Sequence, residues 1–166
     1  HSNLYTALPL YTISEELFQN ILERNHVAAE KQQMLLQELH RVKDHFLQTL
    51  RFNSVEDRIP VLSQEEYAEM PLTLSLSEMF YEHEICCTYD EYLEHYHQTM
   101  AFTERCPNYT VLPQHARIFR NIQIQIKHDE WVIISKNKSP VIHFVIRHPK
   151  MRKAIEDGLW QVLNEE

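Results

Sequence analysis

The fold is decided by three neighbouring segments near the end of the chain, FRNIQIQI at residues 119–126, WVIIS at 131–135 and VIHFVIR at 141–147. In the first segment isoleucines alternate with polar residues, which is the two-residue period of a half-buried strand. The second is rich in β-branched residues, which favour strands. The third is apolar on both faces, which predicts a central strand covered on both sides. Because only short polar segments separate them, we predict a three-stranded antiparallel meander.

A helix is predicted directly after the meander. His148 is placed to cap this helix, and Pro149 takes its first position, where a missing N–H costs nothing. The residues predicted to form its buried side recur at helical spacing and are Met151, Ile155, Leu159 and Val162. We therefore expect this helix to cover the meander.

Upstream of the meander the pattern predicts one more strand and one more helix. Residues 72–77 alternate between apolar and polar, as in a half-buried strand. Residues 88–91, TYDE, fit a capping box that opens a helix ending near Arg105. Tyr92 and Tyr96 lie on the predicted buried side of this helix, and we name both as candidates for an aromatic ligand pocket.

The N-terminal part of the chain is predicted to be helical. Residues 12–15, TISE, fit a second capping box, and neither proline nor glycine interrupts the chain from there to about Phe52. This predicts either one long helix or two helices with a break near Asn25. Apolar residues at helical spacing on one face are Leu35, Leu39, Val42, Phe46 and Leu50. They either pack on their own domain or form a dimerisation seam.

Together these patterns predict an α+β fold, with an N-terminal helical region of one long or two helices and an antiparallel β-meander of three to four strands covered by helices. We assign residues 1–56 to a helical arm or dimerisation region and residues 57–166 to an α+β, sensor-like domain. Hydrophobic residues make up 43% and charged residues 24% of the chain, as in ordinary globular proteins. No apolar run approaches the ~18 residues needed to span a bilayer, so we expect no membrane partner.

The composition argues against several classes of enzyme. The single glycine, Gly158, is too few for a phosphate loop or a dinucleotide-binding turn. Eleven histidines are present without the spacing of a metal site, and His95 and His97 point to different sides of a helix. The chain has neither a GxSxG elbow nor a CxxC pair. We therefore predict a non-catalytic chain with no metal and no cofactor, and the alternative is a small enzyme whose His and Cys meet only in space.

The cysteines and the first residue give indications of the cellular compartment and of whether the chain is part of a longer protein. The three cysteines are Cys86, Cys87 and Cys106, an odd number of which two are adjacent. Neighbouring cysteines rarely bridge each other, so we predict reduced thiols in a cytoplasmic protein. The chain begins at His1 without a methionine, and we expect it to be cut from a longer protein.

Charge is unevenly distributed along the chain. The net charge is −8, yet residues 111–153 carry nine basic and two acidic residues. An acidic whole disfavours nonspecific nucleic-acid binding, whereas a local basic segment favours a small anion. The candidate ligand-binding residues are Lys136 and Lys138 in a Lys/Asn/Ser loop, His143 on the strand that follows, and Arg147 and His148 beside the start of the last helix. The alternative is a solvated loop in a segment that neutralises the acidic remainder.

Several of these segments also resemble a known family. RNIQI, WVIISK and PVIHFVIRHP, at residues 120–124, 131–136 and 140–149, resemble the C-terminal end of helix-turn-helix (Cro/C1-like) transcriptional regulators of Gram-positive bacteria. EYLEH at 91–95, with PNY at 107–109, is similar to the segment before it. The resemblance covers about half of the chain. It implies an effector or dimerisation region, preceded by a DNA-binding domain outside this chain.

We therefore predict a regulatory domain of a bacterial transcriptional regulator that senses a ligand or contacts another protein. Its expected partners are a second copy in a homodimer and a small anionic ligand, with DNA reached only through the domain outside the chain. The alternatives are a dimerisation module without a ligand and the small His/Cys enzyme.

Overall fold

In the computed structural model we describe residues 8–55, 61–69, 78–113, 121–127, 130–136, 140 and 142–165. A short 3₁₀ turn, Leu10–Thr12, precedes the helices, which are α1 (Glu15–Arg24), α2 (Ala29–Leu47), α3 (Gln64–Glu69), α4 (Glu78–Glu82), α5 (Tyr89–Arg105) and α6 (Pro149–Asn164). The strands are β1 (Thr49–Ser54), β2 (Tyr109–Leu112), β3 (Ile122–Lys127), β4 (Trp131–Lys136) and β5 (Ile142–Arg147). The chain is therefore α+β, as predicted.

The chain divides into two compact units that are discontinuous in sequence. The sheet unit consists of the described residues within Leu47–Ile59 and Cys106–Glu166, and the helical unit of those within Tyr5–Phe46 and Pro60–Arg105. This division differs from the predicted one, 1–56 and 57–166, because β1 joins a sheet whose other strands follow α5.

The sheet unit contains five strands in the order β2-β1-β3-β4-β5. Pairs β1–β3, β3–β4 and β4–β5 are antiparallel, and β1–β2 is parallel. The predicted meander is confirmed as β3, β4 and β5, but the sheet is larger than the three to four strands expected. The added strands are β2 and β1, and β1 contains Leu50, which was predicted to be helical.

One face of the sheet forms the core of this unit. Its buried residues are Phe52, Leu112, Ile124, Ile126 and Val132, with Leu159 of α6 against them. Trp160 of α6 meets Phe52 edge to face, with ring centroids 5.4 Å apart. His148 caps α6 as predicted, because its Nδ1 accepts a hydrogen bond from the Met151 amide at 3.3 Å. Helix α6 therefore covers the sheet, although the prediction that it buries Met151 is wrong, since this side chain is half-exposed.

Strand β5 differs most from its prediction. It lies at one end of the described sheet, next to β4 alone, and not at the centre. Phe144 is 60% exposed, so the expectation of a central strand covered on both faces is wrong. The apolar pattern of β5 is typical of a buried strand, yet no described part of the chain covers its exposed side chains.

In the helical unit the N-terminal region is two helices, with the break at the predicted place. Asn25 ends α1, and its side-chain amide donates to the carbonyls of Ile21 and Cys86, both at 2.7 Å. His26 follows with a left-handed φ of 56°, which turns the chain toward α2. The residue that caps α1 is Ser14, whose hydroxyl accepts from the Leu17 amide at 3.1 Å, so the capping box predicted at residues 12–15 is wrong.

Helix α5 matches its prediction closely. The Glu91 amide donates to Thr88 Oγ1 at 3.2 Å, and the Thr88 amide donates to Glu91 Oε2 at 2.7 Å. This reciprocal pair is the capping box predicted from the sequence. Arg24 of α1 adds a salt bridge to Glu91 at 2.6 Å. The start of α5 is thus fixed both by its own cap and by α1.

The predicted strand at residues 72–77 lies outside the described residues. Among the described helices, none combines the length and the apolar character needed to cross a membrane.

Candidate functional site

The surface that stands out is the outer edge of the sheet, formed by β5. Three of its apolar side chains are more than half exposed, Ile142 at 55%, Phe144 at 60% and Val145 at 51%. Phe144 lies opposite Ile134 and Val145 opposite Ile133 in the register with β4. Because side chains alternate along a strand, the exposed apolar surface includes both faces of the sheet at this edge.

The backbone of β5 presents its other hydrogen-bonding side outward. The His148 amide donates to the Glu130 carbonyl at 2.9 Å, immediately beyond the Trp131–Arg147 pair. In an antiparallel ladder hydrogen-bonded pairs alternate, so residues 142, 144 and 146 bond to β4. The amides and carbonyls of His143, Val145 and Arg147 therefore point away from β4.

The side chains of β5 give this edge little protection against pairing with another strand. Natural edge strands are protected by lysines, prolines, bulges or inward-pointing charges. The six residues of β5 contain neither lysine nor proline, and their register with β4 is regular. The one charged side chain, Arg147, folds back onto its own sheet, with a salt bridge to Glu130 at 3.1 Å and its guanidinium 5.0 Å from the Trp131 ring centroid.

The predicted anion-binding residues do not converge on one point. Lys136 Nζ donates to the Pro140 carbonyl at 3.0 Å, and Lys138 lies outside the described residues. Lys136 pairs with Ile142, whereas Arg147 pairs with Trp131 at the other end of β4. Five residue steps separate these pairs, which is about 17 Å along a strand.

The two histidines of that predicted site have partners within their own unit. His143 Nδ1 lies 2.9 Å from Ser135 Oγ, across the β4–β5 ladder. His148 Nδ1 accepts from the Met151 amide as the cap of α6. Both rings thus have a structural role in the sheet unit.

Tyr92 and Tyr96 belong to the helical unit, where Tyr92 is fully buried. The Tyr92 hydroxyl accepts from the Leu62 amide at 3.1 Å, and its ring stacks on Tyr67 with centroids 4.9 Å apart. Burial raises the pKa of the Tyr92 phenol. The Tyr96 ring lies 6.5 Å from that of Tyr92. These contacts make Tyr92 part of a packed aromatic cluster.

The proposed dimerisation stripe is largely buried within the chain. Leu35, Leu39 and Phe46 are buried in the helical unit, where Tyr11 stacks on Phe46 with ring centroids 3.7 Å apart. Leu50 packs against the core of the sheet unit. Of the two alternatives for this stripe, the structure favours packing of α2 on its own unit.

A buried histidine was not among the predicted binding residues. His95 on α5 is fully buried, and within the described chain neither of its ring nitrogens has a hydrogen-bond partner. Burial, together with the smaller effect of the positive charge of Lys43, lowers the pKa of His95 from 6.5 to about 4. The ring is neutral at pH 7, and it has no cysteine within hydrogen-bonding distance among the described residues, which the enzyme alternative would need.

Metal binding finds no support in the described ranges, where no group of three or more His, Cys, Asp and Glu side chains is placed to hold an ion.

The β5 edge could have been suspected from the sequence. The last strand of a meander has a neighbour on one side only, unless a more distant strand joins it. A last strand that is apolar on both faces therefore points to a partner beyond the meander.

Comparison of the chain with protein-family models, with curated proteins and with solved structures gives no match.

Proposed function

We propose that this chain is a non-catalytic domain of a regulatory protein, and that it acts as a homodimer formed through the β5 edge. The observation that carries the proposal is the exposure of Ile142, Phe144 and Val145, each more than half accessible on a strand whose outer side pairs with no other strand of the described sheet. Exposed apolar edges are sites of association, and evolution usually removes them where no partner exists.

A second copy suits this edge better than a charged or polar partner. The apolar residues of one face follow a symmetrical order, Ile142, Phe144 and Ile146, so the strand is complementary to itself. The one charged side chain of β5, Arg147, is paired with Glu130. Two identical edges can therefore meet without repulsion between like charges.

The strength of this contact can be bounded. Fully burying an apolar side chain contributes about 1.5–3 kcal/mol, and roughly half of that is still to be gained by each exposed residue of β5. Six such side chains in a dimer would gain on the order of 5–9 kcal/mol, in addition to new backbone hydrogen bonds. Association itself costs about 4–15 kcal/mol. The highest gain exceeds the lowest cost by about 5 kcal/mol before the new hydrogen bonds are added, so we expect a weak dimer with a Kd between about 1 µM and 1 mM.

The resemblance to helix-turn-helix regulators supports the regulatory part of the proposal. Dimeric regulators read paired half-sites on DNA, so a self-associating region suits such a protein. The net charge of −8 argues against DNA binding by this chain itself. None of the three cysteines, which all lie in the described part of the chain, forms a disulfide, and this supports a cytoplasmic location.

Phe144→Asp should convert the dimer to a monomer. The substitution removes the largest exposed apolar side chain of β5 and places a carboxylate at the interface, where its burial is costly. Sedimentation velocity between about 1 µM and 1 mM, which covers the expected Kd, should show a concentration-dependent dimer for the unaltered chain and a monomer for the variant.

The matched control is Met34→Asp, which places the same charge on an equally apolar, 46% exposed residue of α2 in the helical unit. This variant should dimerise like the unaltered chain. A chain that stays monomeric at every concentration, or a Phe144→Asp variant that dimerises normally, would refute the proposal.

A further inference from the structure

We infer that two copies pair antiparallel through β5, about a two-fold axis that passes between their Phe144 residues, and so form one continuous ten-stranded sheet. The inference rests on the proposed function and specifies the geometry of its interface. It follows from the direction of the backbone groups, the order of apolar residues and the position of the one charge on the strand.

The outward backbone groups fix the direction of the strands. In both copies these groups belong to His143, Val145 and Arg147, so the two copies must pair through the same edge of the strand. A closed two-fold dimer uses the same patch on both copies, with residue i against j and j against i. This symmetry is met when the two β5 strands run antiparallel.

The apolar side chains select the register. Centring the axis on Phe144 places Phe144 opposite the partner's Phe144 and Ile142 opposite the partner's Ile146, so every apolar residue on the α6 face meets an apolar one. Centring it on Val145 would place Ile142 opposite the partner's His148. Aromatic and β-branched residues that pair directly across strands contribute about 0.2–1 kcal/mol each. The Phe144-centred register is therefore favoured.

The backbone agrees with this choice. With Phe144 on the axis, His143 and the partner's Val145 form a hydrogen-bonded pair, and the two Phe144 residues form a non-hydrogen-bonded pair. Non-hydrogen-bonded pairs bring side chains closest, with Cα atoms about 4.5 Å apart. Each Phe144 ring, 60% exposed in the single chain, thus gains its main contact from the other copy.

The charge of the strand is also accommodated. Arg147 lies three residues from the axis in each copy, so the two guanidinium groups lie about 20 Å apart along the strands. Each remains paired with its own Glu130 at 3.1 Å. Because α6 covers the same sheet face as Phe144 in each copy, the two α6 helices lie on one side of the joined sheet, with the paired Phe144 rings between them.

Cysteine cross-linking tests the register directly. In a Cys86→Ser background, which removes the half-exposed native thiol, we compare Phe144→Cys with Val145→Cys under mild oxidation. In the Phe144-centred register the Cα atoms of the two residues 144 lie within the range of about 4.4–6.8 Å that a disulfide spans. The two residues 145 are diagonal neighbours about 7–8 Å apart, beyond that range. We therefore expect Phe144→Cys chains to cross-link about ten-fold faster than Val145→Cys chains.

A second pairing retains Phe144, in case its loss weakens the dimer. A mixture of Ile142→Cys chains with Ile146→Cys chains should give a cross-linked heterodimer, because these positions are opposite each other in the inferred register. Gln161→Cys, on the exposed side of α6, measures the background from random collisions.

The outcomes separate this inference from the proposed function. Faster cross-linking of Val145→Cys than of Phe144→Cys would overturn the register and leave the β5 dimer in place. Cross-linking at the background rate in every β5 variant, with a dimer still present in sedimentation, would overturn pairing through the strand edge. A chain that sediments as a monomer throughout would overturn the proposed function as well.

Discussion

Phe52→Ala should destabilise the sheet unit by about 3–5 kcal/mol, whereas Phe144→Ala should cost less than about 1 kcal/mol. Phe52 is 1% exposed in β1, between β2 and β3, and packs edge to face on Trp160. Its truncation removes a buried ring and leaves a cavity beneath α6. Phe144 is mostly exposed at the edge, so its truncation leaves no enclosed cavity in the single chain.

Denaturant unfolding followed by tryptophan fluorescence measures this difference, because both tryptophans, Trp131 and Trp160, belong to the sheet unit. The protein concentration must be below the Kd of the dimer, since dimerisation would add to the apparent stability. Equal losses for the two variants would mean that β5 is covered within its own chain, and a mild loss for Phe52→Ala would mean that the core lies elsewhere.

Acidification from pH 7 to pH 4 should destabilise the helical unit by about 3 kcal/mol through His95 alone, with about 2 kcal/mol of this already lost at pH 5. The pKa of His95 is lowered from 6.5 to about 4 in the folded chain, because its ring is fully buried beside Lys43. Between these two pH values the unfolded chain binds a proton that the folded chain does not bind. The free energy of unfolding therefore falls as the pH decreases from 6.5 toward 4.

Carboxylates complicate the lower part of this range. The pKa of Glu91 is lowered by its hydrogen bonds to Arg24 and Thr88, against the opposing effect of burial, and the pKa of Glu15 is lowered by His40. A carboxylate with a lowered pKa loses its contribution only below its ordinary range, near pH 4.5 and lower. The interval between pH 6.5 and 5 therefore reports mainly on histidine.

His95→Leu is the matched variant for this prediction. It replaces a buried ring that has no hydrogen-bond partner among the described residues, so it should be at least as stable as the unaltered chain at pH 7. Urea unfolding followed by far-ultraviolet circular dichroism should show that the variant loses about 2 kcal/mol less stability between pH 7 and pH 5. The same pH dependence in both chains would show that His95 is not the group that titrates.

The elements that the sequence predicted well are those with local signals. Helix α5 has its capping box at Thr88 and Glu91, and α6 has His148 and Pro149 at its start. Strand β3 has isoleucines at alternate positions. Such patterns depend on residues a few positions apart, so they can be read without knowledge of the rest of the chain.

The errors have physical causes that involve distant residues. Leu50 continues the four-residue spacing of the α2 stripe, but residues four apart also lie on one side of a strand, and β1 begins at Thr49. Leu50 lies in a strand and not in a helix because β1 pairs with β2 and β3, which follow it by more than fifty residues. Local periodicity contains no information about that pairing.

The candidate site was predicted only in part. The apolar residues of β5 were recognised, but they were assigned to the interior of the domain. The apolar pattern indicates that the strand is buried, and it does not indicate which element buries it. Apolar side chains at Phe144 and Val145 are suited to contact with a neighbouring strand of the same chain and equally to contact with a second copy. The difference appears only when the sheet order is known.

Amide hydrogen exchange along β5, resolved by residue at protein concentrations below and above the Kd, tests edge pairing most directly. In the single chain the amides of Ile142, Phe144 and Ile146 face β4 and should exchange slowly, whereas those of His143 and Val145 should exchange fast. At the higher concentration our account predicts strong new protection at His143 and Val145. Fast exchange at these two amides at both concentrations would contradict it.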